Sequence, residues 1–109
     1  MKINAIMKWF KDIHNRQIRL SSERQDHIEV DHPEMSGQID KIQDTLASPD
    51  VIVKSRVDPD VELFYQHYNS TPVTEKYLCV VVKRFIVDKI HELDTSKYIY
   101  HLFLFFHFE

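Results

Sequence analysis

Apolar and polar positions change rhythm several times along the chain. Residues 5–20, AIMKWFKDIHNRQIRL, run as two short apolar-polar stretches on either side of His14-Asn15. Two short strands are predicted, because asparagine tolerates the positive φ of a tight turn without glycine. Trp9 and Phe10 read as packing residues. A helical spacing then begins. Ser22 followed by Gln25 has the spacing of a capping box, and Pro33 pushes the residue before it out of the α region. The spacing predicts a helix over 22–31, with Ile28 in the core. Arg24, His27 and Asp31 stand three and four residues apart on one face, with His32 at its end. Pro33 opens a second helix, in which Met35, Ile39, Ile42 and Leu46 step along an apolar face. Ser48-Pro49-Asp50 ends it.

Three strands are expected next: VIVKSRV (51–57), VELFYQHY (61–68) and KYLCVVVKRFIV (76–87). Asp58-Pro59-Asp60 and Asn69-Ser70-Thr71-Pro72 supply the turns between them. The last stretch, YIYHLFLFFHFE (98–109), carries four phenylalanines and two tyrosines. As a strand it is apolar on both faces, and as a helix it is too short to cross a membrane. An aromatic edge of this kind is an association surface. The sum is an α+β fold, two N-terminal helices packed on one face of an antiparallel sheet.

Composition narrows the class. A chain of 109 residues is read as a single domain over 1–109, and its hydrophobic (43%) and charged (28%) fractions are those of an ordinary globular protein. The formal charge of −3 argues against indiscriminate binding to nucleic acid while leaving room for a local basic site. One cysteine, Cys79, allows no internal disulfide and no cysteine zinc site. One glycine excludes a glycine-rich phosphate loop. No signal-peptide pattern opens the chain, which predicts a cytoplasmic location.

Two kinds of chemistry are open to these residues. Metal-free acid–base cleavage needs an imidazole, a group to orient it, and cations for the charge that develops on a phosphate. His27 or His32 can carry the proton, and Glu34 or Asp31 can orient it. Lys54 and Arg56 share a strand face, and Lys83 ends the valine run. Tyr65 and His67, two strand residues apart, can stack on or hydrogen-bond a base. The competing reading is surface decoration, since helix ends and strand rims are where charge normally lies. For a metal site, His27 with Asp31 has helical ligand spacing, but there is no His-Glu-x-x-His pattern. His27 and His32 diverge on a helix, and His101 and His107 are unpaired in the aromatic stretch. No metal and no cofactor are expected.

The run from Ile18 to Lys83 adds a resemblance. The succession I-x-L-S-x-E-R-x-x-H-I-x-x-x-H-P-E-M, I-x-x-T-L-A-S-P-D-V-I, L-F-Y-Q-H-Y and Y-L-C-V-V-V-K resembles the phage-type barnase–EndoU–colicin–RelE-like (BECR) nucleases. These are small α+β domains of phage and toxin-like proteins that act as metal-independent ribonucleases. The resemblance covers 18–83 as a family-like core and leaves 88–109 as an atypical aromatic tail. It implies His27 as proton carrier, with Arg24 and Lys83 near the scissile phosphate. Tyr65 matches the aromatic strand, and His32 and Glu34 serve either catalysis or the helix junction. RNA is the implied substrate, and a protein partner or antitoxin is a further expectation, although an acidic antitoxin suits this acidic chain less than it would a strongly basic toxin. No membrane partner is expected, and the aromatic tail suggests a homodimer. A non-catalytic protein-interaction or self-associating domain of the same fold is the alternative reading.

Overall fold

The hairpin at the start forms where the alternation places it. In the computed structural model, which describes residues 7–69, 75–90 and 95–108 (side chains over 7–67, 77–86 and 98–106), β1 is Met7–Lys11 and β2 is Gln17–Ser21. Asn15 adopts φ 69° in the turn between them. The buried Asp12 carboxylate accepts from the His14 and Arg16 amides at 3.0 and 2.8 Å, which holds the turn closed. Only one of the two aromatic neighbours packs inside. Phe10 is buried while Trp9 is 55% exposed, since adjacent strand residues face opposite ways.

Helix α1, Ser22–Asp31, buries Ile28 as expected, but its N-cap is Ser21. The Ser21 hydroxyl accepts from the Arg24 amide at 3.1 Å. Gln25 instead bridges Lys8 and Glu29, so no capping box forms. The second helix is broken. A 3-10 turn covers Pro33–Met35, Gly37 takes φ 79°, and α2 begins at Ile39 and runs to Ala47. The apolar positions survive this break: Met35, Ile42 and Leu46 are fully buried, with Ile39 packed beside them.

Four strands follow: β3 Val51–Lys54, β4 Val61–Asn69, β5 Glu75–Ile90 and β6 Thr95–Phe108. The sheet order is β1-β2-β6-β5-β4-β3, and every pairing is antiparallel except β2 with β6, which is parallel. The sheet is therefore mixed, and the expected antiparallel sheet under two N-terminal helices is not what forms. A hairpin precedes the helices, and the apolar C-terminal strand enters the middle of the sheet beside that hairpin. Helix α2 lies against β1, β4 and β5; α1 touches β2 and β6. The turn expected at Asn69–Pro72 lies beyond the described residues after Asn69.

Register explains the core. Phe10 pairs with Ile18, Phe64 with Val80, Val80 with Phe105 and Val82 with Leu102, which puts these buried residues on one face. Arg19, His101, Lys83, Phe85, Tyr65 and Cys79 then project from the opposite face. Between Val81 and Val82 the register with β6 shifts, leaving Phe103 without a partner of its own on β5. The resulting bulge brings Phe103 towards α1.

Candidate functional site

A cleft of about 470 Å³ opens where α1 meets the outward face of β2, β5 and β6. Arg19, Ser21, Glu23, Arg24, His27 and His101 give it polar walls, with Phe85 and Phe103 as its aromatic surface. The local sequence builds each wall. Ile18 and Leu20 are drawn into the core, which turns Arg19 outward between them. The Ser21 cap starts α1 at the cleft mouth, and the helical step then places Arg24 and His27 on the side facing it.

Two guanidinium groups in the cleft are held by something other than carboxylates. The Arg19 Nε and Nη2 lie 3.3 and 3.1 Å from Nε2 of His101, its register partner on β6. The Arg24 guanidinium sits 4.4 Å above the Phe103 ring. Among the described residues neither arginine has an ion-pair partner. Two other arginines are neutralised: Arg16 bridges Asp12 and Glu62, both at 2.7 Å, and Arg84 binds Asp60 at 2.9 Å. The cleft is thus locally positive on an acidic chain. Burial, with Arg19 and Arg24 close by, holds His101 below the ordinary histidine value. Its Nε2 accordingly acts as a lone-pair acceptor for Arg19.

The structure brings His27 and Arg24 together in this cleft. Lys83 lies at its margin. It is the register partner of His101 on β5, and its ammonium is 5.5 Å from the Phe85 centroid and 3.1 Å from the Asp58 carboxylate. That ammonium and the Asp60 amide, the larger influence of the two, hold Asp58 below its usual range. His32 and Glu34 stand apart from the cleft. They contact each other at 3.3 Å, and the His32 ring stacks on Phe106 at 5.4 Å, a junction between the end of α1 and β6.

The remaining expected residues lie elsewhere. Tyr65, on β4, pairs with Cys79 and hydrogen-bonds to its thiol. Burial pushes that thiol up to about 11, which removes it as a nucleophile. Lys54 lines a smaller recess with Arg16, Glu62, Arg84 and Tyr100. Arg56 does not share its strand face, because β3 ends at Lys54. The Ser55 hydroxyl then accepts from the Val57 and Asp58 amides and turns the chain. His67 packs against Tyr77 at 4.9 Å. Among the described residues no group of three or more His, Cys, Asp or Glu is placed to hold a metal ion.

Arg19, Phe85 and Phe103 escaped the sequence reading, and His101, read there as unpaired, is partnered by Arg19. A weak signal was present: Arg19 and His101 are each polar interruptions between apolar strand neighbours. Only the β2–β6 pairing reveals that they meet. Comparison with family models, curated proteins and solved structures found no match for this chain. No described helix is long and apolar enough to cross a membrane.

Proposed function

We propose that this chain is a metal-independent RNA endonuclease of phage or toxin type, working in the cleft of α1 and β6. The observation that carries the reading is the convergence of His27 with two arginines that have no ion-pair partner among the described residues. Guanidinium groups that line a cleft without being ion-paired, even with Glu23 in the same wall, suit the bidentate recognition of phosphate. The ordered resemblance of residues 18–83 to BECR nucleases favours the same reaction.

In this mechanism the RNA 2′-hydroxyl attacks the adjacent phosphorus and His27 accepts its proton. The bond to the 5′-oxygen breaks, that oxygen takes up a proton, and a cyclic phosphate remains on the upstream fragment. Arg19 and Arg24 face the charge that accumulates on the phosphoryl oxygens, the point at which fixed donors do most. Lys83 is a reserve cation at the margin, available to a longer substrate once Asp58 releases it.

The test is cleavage of total RNA in chelator by wild type, His27→Ala and Arg24→Ala. Wild type is expected to cut. His27→Ala should lose about 100-fold or more, the usual scale of acid–base catalysis. A 2′-deoxy substitution at the cut site should abolish the reaction. Activity unchanged in His27→Ala removes this assignment. Neither cleavage nor RNA binding, together with association seen by sedimentation, would favour the second reading, a non-catalytic protein-interaction or self-associating domain. The exposed Trp9 and Phe103 are the features that would serve self-association in that case.

A further inference from the structure

Phe85 is oddly placed for a large apolar side chain. It is 40% exposed on the outward face of β5, yet it lines the same cleft as Arg19, Arg24 and His27. The ring is not loosely held. The His101 imidazole meets it at 87° with centroids 5.0 Å apart, and Arg19 donates to Nε2 of that imidazole. The Lys83 ammonium lies over the ring at the longer distance of 5.5 Å from its centroid. Phe103, the second aromatic of the cleft, already has Arg24 across its face at 4.4 Å. Phe85 is therefore a fixed ring that carries a cation yet keeps 40% of its surface open to a ligand.

Phosphate contacts position a nucleic acid but do not distinguish an unpaired strand from a duplex. An aromatic ring beside them does. A paired base is stacked on both faces and its A-form major groove is too narrow for side chains, whereas an unpaired base can swing out onto a ring. We propose that Phe85 is the stacking platform for one unpaired nucleobase, so that the cleft selects single-stranded RNA. This rests on the reading of the cleft as a phosphate site. His101 holds the platform and the Arg19 guanidinium in register, through its ring contact with Phe85 and its Nε2 contact with Arg19. The base is recognised by its flat face, so the platform tolerates any of the four.

Fluorescence anisotropy on the full chain in chelator tests this. The probes are a labelled 2′-O-methyl RNA oligomer that cannot be cleaved, its duplex, and an abasic sugar-phosphate oligomer of equal length. Phe85→Ala and Phe85→Leu should each weaken single-strand binding about tenfold, and Phe85→Trp should restore it. The abasic oligomer should bind wild type and Phe85→Ala equally, and the duplex should bind more weakly and ignore the substitution. Arg24→Ala should weaken every probe and lower the salt slope by about 0.7. Equal single-strand binding by wild type and Phe85→Ala, with the Arg24 dependence intact, overturns the platform and leaves the phosphate reading standing. A Phe85→Ala loss that is as large on the abasic oligomer does the same. Binding indifferent to Arg24→Ala overturns both.

Discussion

The imidazole of His101 shows how a single residue answers to its neighbours. It is partly buried, takes two contacts from Arg19 and lies near Arg24, and all three features disfavour a second proton. Its folded value therefore lies below the ordinary 6.5. Below that ordinary value the unfolded chain binds a proton here that the folded chain refuses. The stability this residue supplies is complete above 6.5 and fades as pH falls through the folded value. His101→Gln keeps a polar side chain without the titration. Urea unfolding should show wild type losing more stability than this variant between pH 7.5 and 5. The two proteins differ only at this residue, so the difference isolates it, and parallel losses would remove the explanation. The low value also matters for the cleft, because a neutral imidazole leaves the positive charge to the arginines.

Local elements were legible where their causes are local. The span of α1 follows from a serine cap and a proline stop, and the first hairpin from an asparagine that tolerates φ 69°. The cap itself was read one residue late, because Ser21 and Ser22 are chemically alike and only backbone geometry separates them. The break in the second helix stayed hidden because Met35, Ile39, Ile42 and Leu46 keep their apolar spacing across Gly37. The Ser21 cap has a use beyond stability, since it fixes the start of the helix that carries Arg24 and His27 to the cleft. Ser21→Ala should lower the unfolding free energy by about 1 kcal/mol, measured by denaturant melts. An unchanged midpoint would mean that the hydroxyl contributes nothing to the α1 start.

At the scale of the whole molecule, the C-terminal strand decides both the core and the cleft. Arg19 and His101 are 82 residues apart, and no periodicity within either segment announces a parallel pairing over that distance. An aromatic strand apolar on both faces looks like an edge or an appendage when read alone. Between two neighbours it is a central strand, with Leu102 and Phe105 in the core, while His101 and Phe103 face the cleft. The same strand thus joins the hairpin to the rest of the sheet and supplies His101, Leu102 and Phe103 to the lining of the candidate site, and the buried Phe105 and the part-exposed Phe103 separate the two roles by substitution. Leu102→Ala should cost about 2–5 kcal/mol and Phe105→Ala about 3–5, since each empties a filled position in the core. Phe103 is 39% exposed and its principal described partner is Arg24, so Phe103→Ala should cost about 1 kcal/mol or less. Urea unfolding at fixed pH reads all three. If Leu102→Ala and Phe105→Ala were as mild as Phe103→Ala, β6 would not be part of the core. Arg19 would then have no fixed partner across the sheet, and the cleft would lose the wall that gives it shape.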